Sequence, residues 1–326
     1  MTAAHYDLSV MGDNSGYAAV RALGRVLLTA GAAAGGVAAL GLGNEALRLM
    51  RRRQLTEAYA AAVELVGAAD VTVRIGGVHA LGALLADAPS SHDMVVRTLT
   101  ALIREHAPAR GTAAGDVTAL AEERPPGDVR AALAVLSGRP RRGEAEPVDL
   151  SETRLVGADL SEVRLVGACL FGAELAYADL SGGELTGAEL GQADLRFARL
   201  WETRLARADL SAARLDDADL TGADLREARV PGASLRGAIL HGTRLQGATL
   251  SESDLRGASL DEAALDGAYL SRAKLRGTTF DGAHLSGASL LGADLADADL
   301  SAAIGVSGAQ LADARTDGST RLPAGL

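Results

Sequence analysis

An apolar residue occupies every fifth position from Leu150 to Leu300, without a single insertion or deletion. Of these 31 positions 29 are Leu, and the exceptions are Val230 and Phe280. Five steps of about 100° advance roughly 140° around an α-helix, so these side chains would spiral over its whole surface. On a β-strand they would alternate between the two faces. A fixed period that fits neither element indicates a solenoid, in which each unit buries its apolar side by stacking on its neighbours.

A coil with four sides of five residues explains the period, because four sides close a turn of 20 residues. Two residues before the apolar position, 23 of the 31 residues are Ala, and both positions are predicted to point into the shaft. Gly follows the Leu by two residues in 16 units, where a type II turn needs a positive φ. With coils about 4.8 Å apart, about eight of them would form a rod on the order of 40 Å long. The predicted core of one side consists of Leu160, Leu180, Leu200, Leu220, Leu240, Leu260, Phe280 and Leu300.

The triplet Ala-Asp-Leu recurs through this region, for example at 158–160, 178–180 and 218–220. It resembles the unit of the pentapeptide-repeat family, often written A(D/N)LXX, and the resemblance covers 148–303. The resemblance implies a mainly β protein, a right-handed quadrilateral β-helix of about eight coils. Ile304 and Gly305 break the register, and 304–326 is predicted to close the last coil with a short C-terminal capping helix, since an uncovered coil would expose unpaired strand edges.

The chain before the repeats is predicted to form a small all-α module over 54–137. Its helices have candidate N-caps, among them Asp70 and Asp128, and Val95, Leu99, Leu102 and Ile103 form one apolar stripe. A basic linker that contains proline, 138–147, leads into the repeats, and 1–25 is predicted to be flexible. These helical blocks resemble the helical portion of actinobacterial pentapeptide-repeat proteins, many of which are described as membrane-associated.

Residues 26–53 combine an Ala/Gly-rich hydrophobic segment with a basic cluster. The stretch from Val26 to Asn44 has no charged residue, and Arg48 and 51–53 follow it. Nineteen uncharged residues approach the length of a membrane span, although Ala and Gly dominate the stretch. A membrane anchor and a small-residue helix packed in a soluble domain both fit this composition. If the segment inserts, the basic cluster predicts that the following chain stays cytoplasmic, so we expect a cytoplasmic location or the cytoplasmic face of the membrane.

The residue pattern does not predict an enzyme. The six His show no metal-ligand spacing, the glycines follow the five-residue rhythm, and we expect no catalytic residue, cofactor site or metal site. The single Cys, Cys169, excludes a disulfide within the chain and fits a reducing compartment. A formal net charge of −10 argues against direct binding to nucleic acid.

The surface of the repeats is therefore the candidate for function. Residues 148–303 contain 25 Asp and Glu against 15 Lys and Arg, which accounts for the whole acidic excess. Positions 20 residues apart share one side of the coil, and the predicted partner-binding residues of one such column are Asp159, Asp179, Asp219 and Asp299. Outward positions such as Arg226 are expected to tolerate substitution.

Two functions fit these features. The first is a non-enzymatic protein-interaction scaffold that presents a rigid rod to an unidentified protein partner, tethered at the membrane through 26–53. The second comes from the resemblance, because some relatives protect DNA gyrase by imitating the width and negative charge of duplex DNA. On that interpretation the protein binds gyrase or another topoisomerase and protects or inhibits it.

Overall fold

The computed structural model describes residues 42–110, 120–144 and 146–326, and within the first helix it describes side chains from residue 49 onward. The predicted flexible terminus and residues 26–41 of the uncharged stretch therefore lie outside the described residues. Contacts divide the chain into two compact units, Met1–Val95 and Val96–Leu326.

Helices make up the described part of the first unit. Helix α1 (Leu42–Val66) and helix α2 (Val71–Asp87) are followed by a short 3-10 helix (Pro89–Ser91) and by helix α3 (His92–His106), which continues into the second unit. Asp70 caps α2 as predicted, because its carboxylate accepts hydrogen bonds from Thr72 N at 2.7 Å and Val73 N at 3.1 Å.

Helices α1 and α2 pack closely at Gly77. A Cβ atom at this position would lie 2.7 Å from the backbone nitrogen of Val66, so the contact requires the missing side chain. Val78, Leu81 and Leu85 of α2 are fully buried. In the part of the chain that the structure describes, no helix is both long enough and apolar enough to cross a membrane.

The second unit is built around a four-sided β-helix. Each side contributes a single residue to a parallel ladder, and each ladder pair within the repeats joins residues 20 positions apart, such as Asp159 with Asp179. At that pair Leu160 N donates to Asp179 O at 2.7 Å and Asp179 N donates to Ala158 O at 2.9 Å. The ladder confirms the predicted turn of 20 residues with four sides of five.

The interior of the coils is a solid apolar shaft. The eight core residues predicted for one side, Leu160 to Leu300 in steps of 20 with Phe280 among them, are at most 1% exposed. The smaller residues two positions earlier are also buried, and where Thr replaces Ala its hydroxyl finds a backbone partner. Thr203 Oγ1, for example, donates to Leu180 O at 2.9 Å. Buried hydroxyls are thereby satisfied without interrupting the stack.

The corners of the coils turn through residues with positive φ. The hydrogen bond from Ala158 N to Leu155 O, at 3.0 Å, closes one such turn around Gly157, whose φ is 61°. The prediction of positive φ at the glycines is confirmed, but non-glycine residues adopt the same conformation, including Ala212 at 56°. The stacked coils therefore impose the left-handed conformation whether or not the residue favours it.

The N-terminal end of the β-helix is covered by the chain that precedes it. Arg154 N donates to Ala107 O and Ala109 N donates to Glu152 O, both at 2.7 Å, so the segment after α3 pairs with the first coil. Helix α4 (Gly127–Ser137) follows. The prediction that Asp128 caps α4 was wrong, because the helix starts one residue earlier with Pro126 as its N-cap residue.

The C-terminal end is closed by a short helix, as predicted. The ladder continues to Ile304, which pairs with His284, so the register changes after this residue and not at it. Helix α5 (Gly308–Ala312) begins with a capping box between Ser307 and Gln310. Gln310 Nε2 then donates to two carbonyl oxygens of the last coils, Leu285 O at 2.8 Å and Ala288 O at 2.9 Å.

Candidate interaction surface

The four candidate aspartates lie in one column on one side of the β-helix, but they do not form a continuous ridge. Asp159 and Asp179 are neighbours in the ladder, and Arg199 separates Asp179 from Asp219. Asp299 lies four coils beyond Asp219. The residues between them in the ladder are Ile239, Ser259 and Thr279.

Two further outward columns make this side strongly acidic. We call acidic face the outward residues of the side whose core runs from Leu160 to Leu300. Its acidic residues are Asp159, Glu162, Asp179, Glu202, Asp219, Asp261, Glu262, Asp281 and Asp299. Within the repeats Arg199 is its one Lys or Arg, and Arg321 of the C-terminal segment follows Asp299 in the ladder. The three other sides together hold the remaining 16 acids and 14 bases of the repeats, so the acidic excess is concentrated on this face.

Sequence reasoning missed the five residues outside the predicted column because it followed one column alone. The signal was present in the sequence, since the two positions after each core residue also point outward. Glu162, Glu202, Glu262 and Asp281 are all exposed. Asp261, Glu262 and Asp281 lie in the part of the face between Asp219 and Asp299, where the aspartate column is interrupted.

The residue two positions after an aspartate is one of the groups that set the local charge. On two other sides this residue is Arg, and it binds its aspartate through both carboxylate oxygens. In the Asp194–Arg196 pair the Arg196 Nε and Nη2 atoms lie 2.7 and 2.6 Å from the carboxylate. Asp254 has a similar pair with Arg256 and a second one with Arg236, at 2.8 Å. The negative charge of these carboxylates is therefore neutralised locally by the bound guanidinium groups.

On the acidic face the same position holds Ser or Thr. Ser161 Oγ donates to Asp159 at 2.7 Å, and Thr221 Oγ1 and Ser301 Oγ make the equivalent bonds at 2.6 Å to the aspartates two residues before them. A hydroxyl orients the carboxylate but carries no charge. Asp159 and Asp219 are therefore oriented without a neutralising guanidinium, whereas Asp299 also pairs with Arg321 at 3.1 Å.

Hydrogen bonding keeps two of these aspartates acidic. Burial raises the pKa of Asp219, but hydrogen bonds from the Thr221 hydroxyl and the Trp201 indole outweigh it, and the pKa lies below its ordinary value. The pKa of Asp299 is also lowered, first by the Ser301 hydroxyl and backbone N–H and then by Arg321. Both carboxylates are ionised at neutral pH.

Apolar side chains stand among the charges near the middle of the acidic face. Trp201 is 48% exposed while it donates to Asp219, and Ile239, the ladder partner of Asp219, is 43% exposed. Exposed aromatic residues on a rigid surface are the usual anchors of protein interfaces. The face is also not uniformly charged, because Arg199 lies 3.6 Å from Asp179.

A cavity of about 270 Å³ lies where the preceding chain meets the first coils. It is lined by residues of 106–110 and 123–126 together with Arg154 and Val156. Arg154 binds both Glu123 and Glu174, and burial of Glu174 is nearly complete. Among the described residues, no group of His, Cys, Asp and Glu is arranged to hold a metal ion.

Comparison with known proteins agrees with this architecture. The family model described as pentapeptide repeats matches in eight copies over 148–175, 173–211, 203–242, 238–277 and 268–304. No curated protein matches the chain.

Solved structures give further matches. HetL, a pentapeptide repeat protein involved in heterocyst differentiation regulation in the cyanobacterium Nostoc sp. strain PCC 7120, is 35% identical, with 55% of this chain and 85% of HetL covered and a TM-score of 0.28. A second pentapeptide repeat protein of that strain is 34% identical over 35% of this chain and 84% of its own, with a TM-score of 0.21. QnrB1, a plasmid-mediated fluoroquinolone resistance protein, is 19% identical over 52% and 84%, with a TM-score of 0.33.

TM-scores this low do not support a family assignment from superposition. The family assignment therefore depends on the repeat model and on the sequence identity to the two cyanobacterial proteins. On this evidence the chain belongs to the pentapeptide repeat family, and its coils form the right-handed quadrilateral β-helix of that family.

Proposed function

We propose that the protein is a non-enzymatic scaffold whose acidic face binds a protein partner with a basic surface. The observation that carries the proposal is the distribution of charge, nine acidic residues and one arginine on one of four sides. Complementary charge steers association and fixes the orientation of a partner. Trp201, exposed beside Asp219, supplies an apolar anchor within the charged surface.

The rigidity of the rod supports this role. The acidic residues from Asp159 to Asp299 extend over seven coils, roughly 34 Å at about 4.8 Å per coil. Their backbone is fixed by the ladder on both sides of each coil, and the aspartates are oriented by neighbouring hydroxyls. A preorganised surface loses little conformational entropy on binding, so even modest contacts contribute to affinity.

A membrane tether completes the proposal and gives the protein its cytoplasmic-face location. The uncharged stretch from Val26 to Asn44 followed by Arg48 and 51–53 supports it. The tether would hold the β-helix on the cytoplasmic side, where its partner could bind the acidic face.

The test is affinity capture from the native host with two matched variants. The first changes Asp159→Asn, Asp219→Asn and Trp201→Ala on the acidic face. The control changes Glu189→Gln, Asp209→Asn and Tyr269→Phe on another side. A partner bound by the wild type and by the control should be lost by the acidic-face variant. Equal capture by all three proteins would contradict the proposed docking surface.

A DNA-mimic protein that binds gyrase is the second candidate, and the one-sided negative charge favours it. Duplex DNA carries one charge per about 1.7 Å, hence about 20 over the same length, whereas the acidic face carries nine acids and one arginine. The imitation is therefore incomplete, which is why we place the scaffold first.

Supercoiling by purified gyrase tests this candidate. A DNA mimic should inhibit supercoiling or protect the enzyme from a quinolone, and the acidic-face variant should lose the effect. Unchanged supercoiling and unchanged quinolone sensitivity at a stoichiometric excess of protein would contradict gyrase binding. That result would not contradict the proposed scaffold function.

A further inference from the structure

The side chains that the structure describes in α1 start with a segment that does not pack. Every residue from 49 to 54 is exposed, and Leu49 and Met50 are each 66% exposed. The stripe that faces inward starts at Leu55 and continues through Ala58 and Ala62, of which Ala62 is fully buried. Tertiary packing in this unit therefore accounts for α1 from Leu55 onward but not for residues 49–54.

The exposed segment is basic and apolar at once. Arg51, Arg52 and Arg53 follow Leu49 and Met50 directly, and Arg48 precedes them in the sequence. Successive helical residues are rotated by about 100°, so these side chains point in all directions around the helix axis. A helix that lies flat on a surface has one apolar face, whereas this arrangement suits a helix that meets a surface with its end.

We infer that residues 49–53 of α1 contact an anionic lipid bilayer, with the helix axis upright on the membrane and with Arg51, Arg52 and Arg53 binding lipid phosphates. The inference rests on the tether proposed above and adds the class of lipid that the tether recognises. Charge complementarity supports it, because clusters of Lys and Arg next to a hydrophobic segment are attracted by anionic headgroups. The sequence before the cluster supports it too, since the uncharged stretch ends at Asn44, and Glu45 is the one charged residue between it and Arg48.

Leu49 and Met50 favour a bilayer over nucleic acid as the occupant. Phosphates of a duplex would satisfy the arginines, but they would leave two large apolar side chains in water. At a bilayer the same side chains reach the boundary between headgroups and acyl chains, where burial of apolar surface is favourable.

Flotation of the full-length protein with vesicles tests the inference. Two compositions are compared, phosphatidylcholine alone and phosphatidylcholine with phosphatidylglycerol. The variant is Arg51→Gln, Arg52→Gln and Arg53→Gln. The control, Arg207→Gln, Arg244→Gln and Arg276→Gln, removes the same charge from exposed positions of the β-helix. Circular dichroism establishes that both remain folded.

We expect the wild type to float with the anionic vesicles, and to do so less at high salt. The basic-cluster variant should partition on the order of 100-fold more weakly, since each arginine near an anionic surface contributes about fivefold. The control variant should behave as the wild type. A Leu49→Ser, Met50→Ser variant should bind more weakly with an unchanged salt dependence.

Each other outcome contradicts a defined part of the inference. Equal flotation with both compositions, unaffected by the arginine substitutions, would overturn the lipid contact and leave the tether standing. No flotation with either composition would overturn the contact and the tether together, but not the scaffold. Arginine-dependent binding to a duplex in a gel shift, without flotation, would assign the cluster to nucleic acid.

Discussion

Arg226 holds Asp224 by two parallel hydrogen bonds, with Nε 2.8 Å from Oδ1 and Nη2 2.6 Å from Oδ2. The two residues flank Leu225 in one five-residue side, so the pair needs no partner from another coil. The same geometry recurs at Asp194 with Arg196 and at Asp254 with Arg256. In each of these three pairs, an aspartate is neutralised by the arginine two residues after it.

Removing the guanidinium of Arg226 should raise the pKa of Asp224. The hydrogen bond from Arg226 is the largest influence that lowers this pKa, so Arg226→Gln should move it back toward the ordinary value for an aspartate. Titration of the carboxyl carbon by NMR measures the shift. The free energy of unfolding should change little, because Arg226 is half exposed and water screens the pair. An unchanged pKa of Asp224 would mean that the pair does not form in solution.

Because Asp254 titrates, the free energy of unfolding of the β-helix should decrease at acidic pH. Arg256 first, and Arg236 with it, lower the pKa of Asp254 to about 2, against the usual 3.8. Because the folded state has the lower pKa, the contribution is complete above about pH 4 and is lost as the pH falls through about 2. Asp254→Asn should therefore destabilise the protein by about 1–2 kcal/mol at pH 7. Denaturant unfolding should show the two proteins converging below pH 4, and a constant difference down to pH 2 would contradict the assignment.

Leu220→Asp should unfold the β-helix, because it places a carboxylate without a partner in the shaft at 0% exposure. The cost is several kcal/mol, comparable to the stability of a whole domain. Arg276→Asp is the matched control, since Arg276 is an exposed outward residue and should change stability by no more than about 0.5 kcal/mol. Circular dichroism and thermal unfolding distinguish the two, and equal tolerance would contradict the assignment of inside and outside.

Two substitutions of opposite direction test the strain at the corners. Ala212 adopts a φ of 56°, so Ala212→Gly should stabilise the protein by about 1 kcal/mol. At Gly242, with a φ of 62°, an added Cβ meets nothing within 4 Å, so Gly242→Ala should destabilise by about the same amount through the backbone alone. Denaturant midpoints measure both. Shifts of the same sign would show that the backbone conformation does not dominate.

Arg139 ties the segment after α4 to the first coils. Its side chain is 1% exposed, and it donates to Leu136 O at 2.6 Å, Arg164 O at 2.7 Å and the Glu144 carboxylate at 2.6 Å. Arg139→Met should cost about 3–5 kcal/mol, because two backbone carbonyls lose their buried donor and Glu144 keeps only its longer contact with Arg164, at 3.5 Å.

Adding Glu144→Gln should recover part of the stability that Arg139→Met removes. In a double-mutant cycle of denaturant unfolding, the coupling between the two substitutions should exceed about 0.5 kcal/mol. Strictly additive effects would contradict an ion pair between these residues.

The strict spacing made the shaft predictable from the sequence. A position such as Leu220 is defined by its place in a five-residue unit, and mapping by 20 also placed Asp159 and Asp179 side by side correctly. The C-terminal cap followed from the need to cover an open coil. These inferences depend on geometry that repeats, so no single side-chain conformation had to be known.

Other contacts could not be predicted, because they depend on tertiary packing or on rotamers. Asp128 is buried in the first turn of α4 and lies 2.6 Å from His106 Nδ1, a partner 22 residues earlier in the sequence. Arg226 was expected to tolerate substitution as an outward residue, but its side chain folds back onto Asp224. Outward position alone does not reveal whether a side chain is engaged.

The short unit Asp-Leu-Ser or Asp-Leu-Arg separates the electrostatics of this protein from its architecture. Exchanging Ser161 for Arg would alter one charge on the exterior and leave every residue of the shaft in place. During evolution, single-codon substitutions could therefore change the electrostatic potential of each side with almost no effect on folding. Such a molecule can acquire new binding specificities while its skeleton stays constant.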